Sequence, residues 1–315
     1  MGKTLRRAIL YAFVRGLMSL AFILPRSLAL RLFGGLGALA SLFLRKDRMR
    51  AEVNLSLAFP QYSRQEIRGL ARRVYAELGR NCADVFRFPR LRWYELSRFV
   101  KVEGLSYFEE AVSRGRGVVV VTGHIGCWEL LAVYFSMIGY PLAVIVRPLR
   151  DQRLEKLIES LRRSKGMKPI SRMTNVKAAY SWLKRGGILG VLIDQDTSVK
   201  GVFCDFFGRP AYTPAGPAYL ALRTGAAIVP MAIQLEDDGT HVVRVKKPIV
   251  VPENLNADAW VLSVMQACTR AIEDYIRYRP AQWVWMHERW KTVPLLETET
   301  TDGEALRGRE CVIPG

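Results

Sequence analysis

The chain has 315 residues, half of them hydrophobic, and carries 47 Lys and Arg against 29 Asp and Glu, a formal charge of +18. That length holds one large α/β domain, or a domain with an appendage, and the charge suits an anionic partner: nucleic acid, an acidic protein or an anionic membrane surface. Five scattered cysteines with no CxxC pair imply neither a disulfide framework nor a zinc site, and fit a reducing setting.

Residues 1–45 stand apart. Lys3, Arg6 and Arg7 precede an apolar stretch from Ala8 to Leu24 that Arg15 interrupts. After Pro25 and Arg26 a second stretch runs from Leu28 to Leu44, interrupted by Arg31. Three readings compete: a cleavable signal peptide, one spanning anchor, or a helical pair lying in the membrane interface. The broken apolar core and missing A-x-A site weigh against the first, and the short, arginine-bearing runs against the second. The interfacial pair is favoured, because arginines can snorkel while the apolar faces sink into the headgroup boundary. Residues 46–297 form the main domain in this reading, and 298–315 a tail without apolar periodicity.

A short helix over 51–60 ends at Pro60. Ser63 followed by Glu66 is a capping box opening a long amphipathic helix through Leu78. Tyr94 to Val100 and Tyr107 to Val112 read as shorter helices. Val118 to Val121 is a buried strand that breaks at Thr122-Gly123-His124, and a helix opening near Gly126 carries Glu129. Leu142 to Val146 is a second strand, followed by Arg147-Pro148. A basic amphipathic helix spans Asp151 to Arg163, and Asn175 caps another. Ile188 to Ile193 is a third strand, running into Asp194, Gln195 and Asp196. A Phe-rich loop covers Val202 to Tyr212, and Thr213 caps a helix with Pro214 at its first position. Strands over Ala227 to Gln234 and His241 to Ile249 follow, then a long helix from Asp258 to Tyr278. The pattern is an α/β fold with a mixed central sheet flanked by helices.

Open α/β sheets bind ligands at the carboxyl ends of their strands. His124, Arg147, Asp194 and Asp196 all fall at such ends, so they and Glu129 are expected to meet in one pocket. His124 and Glu129 do not have the i, i+4 spacing of a helical metal pair, and no third ligand is apparent. If the His124 ring folds back onto Glu129, the carboxylate fixes its tautomer and leaves the other nitrogen free to take a proton from a hydroxyl. A hydrogen-bonded structural histidine is the other reading. Cys127 between them reads as a buried small residue rather than a nucleophile, and no G-x-S-x-G elbow points to an acyl-serine. His241 reads as a surface strand residue and His287 as structural.

His-x4-Glu after a valine-rich strand resembles the motif of the glycerolipid and lysophospholipid acyltransferase superfamily. The apolar basic N-terminus, Asn54-Leu55 to Phe59-Pro60, Arg147-Pro148, Asp194-Gln195-Asp196, the FFG-R-P-A-x-T loop, Gly225 to Pro230 and Gln282-Trp283 to Arg289-Trp290 narrow the resemblance to the late acyltransferases of lipid A biosynthesis. It covers most of residues 5–292. It implies a fatty acyl transfer from acyl-acyl carrier protein to a hydroxyl of a lipid A precursor, with no further cofactor and no metal. It also implies His124 as general base and Glu129 as its orienting partner. Arg147, Asp194, Gln195, Asp196, Arg209 and Thr213 are the substrate-binding candidates. The implied location is the cytoplasmic face of the bacterial inner membrane. Acyl carrier protein, an anionic lipid and the membrane would then share the positive charge. Nucleic acid is disfavoured, since the bases flank apolar helices instead of interleaving with aromatics.

Overall fold

A computed structural model describes residues 2–149, 151–171, 176–250 and 255–294. Asn175 and the tail over 298–315 lie outside the described residues. Three helices come first: α1 (Lys3–Ile23), α2 (Arg26–Phe43) and α3 (Arg45–Ala58). The long α4 (Arg64–Phe86) opens on the expected capping box, with Ser63 Oγ accepting from Glu66 N and Glu66 Oε2 accepting from Ser63 N. Then follow α5 (Trp93–Phe99), β1 (Val100–Glu103), α6 (Leu105–Ser113), β2 (Val118–Thr122), α7 (Trp128–Met137), β3 (Leu142–Val146), α8 (Gln152–Arg163), β4 (Lys168–Ser171), α9 (Val176–Lys184) and β5 (Ile188–Leu192). The chain continues through β6 (Gly201–Phe206), β7 (Arg209–Pro214), α10 (Gly216–Thr224), β8 (Ala227–Leu235), β9 (His241–Val245) and α11 (Ala257–Tyr278).

Seven strands form a mixed sheet in the order β1-β9-β8-β2-β5-β3-β4. The five from β8 to β4 are parallel, and β9 turns back antiparallel on β8 with β1 parallel beside it. Every residue of β2 is buried, as a central strand covered on both faces must be. Its side chains alternate between two cores. Val119 and Val121 face one built with α3, α4 and α9 to α11, and Val118 and Val120 face another built with α5 to α8. Burial of each valine contributes roughly 1.5–3 kcal/mol, so β2 is the anchor of both layers.

The Phe-rich loop is a hairpin, β6 pairing antiparallel with β7 from Gly201↔Pro214 to Phe206↔Arg209. Thr213 is therefore a strand residue, and α10 begins at Gly216 with Pro217 in its first turn. His241, expected at the surface, is wholly buried and hydrogen-bonded through Nε2 to Asp84 at 2.7 Å. It is the first residue of β9, and the side facing Asp84 is roofed by α4 and α5.

Candidate active site

The turn after β2 carries His124 to the carboxyl edge of the sheet, and the neighbouring β5 ends just before Asp194. Asp194 is buried with its side chain wholly covered, and its two oxygens accept three hydrogen bonds. Oδ2 takes His124 N at 2.6 Å and Trp283 Nε1 at 2.7 Å, and Oδ1 lies 2.9 Å from His124 Nδ1. Gly123 makes room for this approach, because a Cβ there would lie 3.0 Å from Asp194 Oδ2. Burial alone would raise the Asp194 carboxyl. The His124 ring, His287 and the Trp283 donor outweigh that and hold it well below the usual carboxylate range.

With Nδ1 directed to Asp194, His124 turns Nε2 toward a cavity of about 1410 Å³. Gln195 Nε2 is 3.3 Å from that nitrogen and 2.7 Å from His287 Nε2. The two imidazoles meet edge to face at 4.9 Å between centroids, and burial followed by the charge of His124 lowers His287 to about 4. His287 is thus neutral near pH 7 and stands behind Gln195.

The expected contact between His124 and Glu129 is not made; the orienting carboxylate is Asp194. Glu129 instead pairs in a bidentate way with Arg162 of α8, at 3.0 and 2.5 Å. Glu129 lies in the first turn of α7 and meets Arg162 in the last turn of α8. Burial would lower the Arg162 guanidinium, but the hydrogen bonds and charge of Glu129 outweigh that and raise it. The cavity wall includes His124, Glu129, Arg147, Arg162 and Gln195, then an apolar length with Val146, Leu192, Tyr180 and Leu220.

The expected convergence is therefore partial. His124, Glu129, Arg147 and Gln195 share the cavity, with Asp194 directly behind His124. Asp196 turns away and accepts from Thr292 N and Oγ1 at 2.7 and 3.1 Å. Thr213 is buried against Arg289 Nη2 at 2.6 Å, and Arg209 is exposed at the start of β7; neither lines the cavity. Cys127 is buried, and burial pushes its thiol well above its usual value, which removes it as a nucleophile. Among the described residues no group of three His, Cys, Asp or Glu is placed to hold a metal ion.

A paired histidine at the mouth of an apolar cavity suits acyl chemistry on a lipid, and the profile described as bacterial lipid A biosynthesis acyltransferase matches residues 2–292. The chain belongs to this family. It is similar to the lipid A biosynthesis lauroyltransferase of Escherichia coli K12, 27% identical over 289 residues that cover 89% of this chain and 90% of that one. It is also similar to the lipid A biosynthesis palmitoleoyltransferase of the same organism, 27% identical over 84% and 85% of the two chains. A phosphatidylinositol mannoside acyltransferase of Mycolicibacterium smegmatis is 26% identical over 70% of this chain and 72% of its own.

Three polar residues of this candidate site were not expected there from the sequence: Arg162, His287 and Trp283. Arg162 had a signal. Leu154 and Ile158 place it on the next step of the same i, i+4 ridge, an arginine where the inward stripe continues. The other two stand far along the chain, and the Ile125↔Trp283 bridge brings that segment beside the β2 turn.

Proposed function

We propose that this acyltransferase moves a fatty acyl chain from acyl-acyl carrier protein to a hydroxyl of a lipid A precursor, with Asp194 and His124 as the proton-handling pair. The observation that carries the reading is the Asp194–His124 geometry: a buried carboxylate on Nδ1 and the other ring nitrogen at a cavity with an apolar length. Asp194 keeps the Nδ1–H tautomer, so Nε2 is the acceptor. The acceptor hydroxyl takes the place of the Gln195 amide on Nε2 and gives up its proton as its oxygen attacks the thioester carbonyl. The C–O bond forms, the tetrahedral oxyanion collapses, and the C–S bond breaks. The proton on His124 passes to the departing thiolate. Arg147, exposed at the rim, supplies positive charge to an acceptor phosphate. The Glu129–Arg162 pair holds a guanidinium at a fixed place on the same wall, which supports a role in positioning either substrate.

The test is acyl transfer from labelled acyl-acyl carrier protein to a lipid A precursor by wild type and His124→Ala. A loss of about 10²–10⁴-fold is expected; equal rates would sink the base assignment. The similarity to a phosphatidylinositol mannoside acyltransferase favours one second reading, a different glycolipid acceptor. Transfer to a mannosylated phosphatidylinositol but to no lipid A precursor would select it.

A further inference from the structure

By length and composition α2 could cross a membrane, with 18 residues at a mean hydropathy of 1.2. Its attachments forbid that. At its start Arg26 donates Nε and Nη2 to Asp84 at 2.8 and 2.9 Å, and Nη1 to Gly239 O at 2.7 Å in the β8–β9 turn. At its end the chain passes through Leu44 into α3, whose Ala51, Leu55 and Ala58 belong to the main core. Asn54 of α3 donates to the carbonyls of Trp285 and His287. Both ends of α2 are thus held by one globular body. Between them its backbone rests on α4: a Cβ on Gly37 would fall 2.1 Å from Tyr75 O, and one on Gly79 would fall 2.0 Å from Phe33 O. Over that stretch α4 carries Arg72, Arg73, Glu77 and Arg80. A spanning α2 would drag these charges into hydrocarbon.

What α2 presents outward is Leu28, Leu32, Leu36, Leu39 and Phe43, all exposed, at the spacing of one helix face. The α1 helix, whose Ala21 is buried, presents Leu5, Ile9, Phe13, Leu20 and Ile23 in the same way. Exposed apolar stripes of this extent mark a surface that something covers. Residues 1–46 hold eight Lys and Arg and no Asp or Glu. Arg6, Arg7, Arg15, Arg31, Arg45 and Lys46 are exposed beside the stripes. A second copy of the chain would set these cations against one another. Lipid phosphates would neutralise them.

We propose that α1 and α2 lie in the plane of one leaflet of an anionic phospholipid bilayer, with neither helix crossing it. The apolar stripes sink to the acyl boundary and the arginines reach the headgroup phosphates. The surface and its test are independent of the acyl-transfer reading.

The experiment adds the full chain to sealed phosphatidylcholine vesicles with and without phosphatidylglycerol. Fluorophores sensitive to dithionite are placed at Ser27→Cys or Lys46→Cys, with Cys82 and Cys311 replaced by serine. External dithionite is expected to quench both positions; protection of one end would overturn the proposal in favour of a span. Partition is expected to fall about tenfold or more without phosphatidylglycerol. It should fall similarly for Leu32→Asp with Leu39→Asp, at an unchanged melting temperature. Equal partition by that variant, or self-association through the stripes without vesicle binding, would overturn it as well.

Discussion

Asp194 is a buried carboxylate that accepts from a backbone N–H, an imidazole and an indole at once, so it ties the site to the fold. Asp194→Asn keeps the shape and loses the charge. One oxygen is replaced by a donor that faces other donors, so a loss of stability of about 2–4 kcal/mol is expected in urea unfolding. Acyl transfer should fall more than that loss explains, measured at a temperature where both proteins are folded. A variant with full activity would remove Asp194 from the mechanism. His287 gives a pH signature. Its value of about 4 in the fold lies below the usual 6.5, because burial disfavours the charged ring. Between those two values the unfolded chain binds a proton that the folded chain refuses, so stability falls as pH drops through that window. The contribution is on the order of 3 kcal/mol. His287→Gln should flatten the decline in urea midpoint between about pH 6.5 and 4, and an unaltered slope would contradict the buried neutral imidazole.

At the level of elements, the Glu129–Arg162 pair joins the first turn of α7 to the last turn of α8, where each helix dipole favours the charge it receives. Both side chains are largely covered, so a double-mutant cycle of Glu129→Gln and Arg162→Met should give a coupling of about 1–3 kcal/mol in thermal unfolding. Additive effects would show that the pair is not formed in solution. The elements that frame this pair were legible to different degrees. The valine run of β2, the Ser63 capping box and the stripe of α4 declare themselves because local pattern and tertiary burial agree. Edge strand β4 did not, since Lys168-Pro169-Ile170-Ser171 has neither an apolar run nor clean alternation. β1 was obscured by the apolar helices on either side, although Val-Lys-Val-Glu alternates. The site divides in the same way. Strand ends predicted that His124, Arg147 and Asp194 would gather, and also Asp196, which instead turns to Thr292. They did not predict which carboxylate the imidazole takes, because Asp194 is close only through the parallel pairing of β2 with β5.

Across the whole molecule, a charge cluster around buried Asp84 is one of the joints between the N-terminal helices and the central sheet. Asp84 of α4 accepts from Arg26 of α2 through both oxygens and from His241 of β9 through Oδ2. Gly239 O accepts from Arg26 Nη1, so one guanidinium links the entry of α2, α4 and the β8–β9 turn. Burial would raise the Asp84 carboxyl, but His241 and Arg26 together lower it to about 2. Its folded value is below the unfolded one. Its contribution is therefore complete above about pH 4 and is lost as pH falls through about 2. Removing the carboxylate leaves the Arg26 guanidinium and the buried His241 Nε2 without their shared partner. Asp84→Ala should cost about 3–5 kcal/mol, and Arg26→Ala, whose loss leaves Asp84 still paired with His241, should cost less. If the cluster is the joint, Arg26→Ala should also expose the Leu24-Pro25 link to protease while the sheet stays folded. Limited proteolysis against a urea melt separates these outcomes. Cleavage at that link no faster than in wild type would show that the glycine contacts between α2 and α4, with Arg87 donating to the Ala21 and Leu24 carbonyls, hold the helices without Arg26.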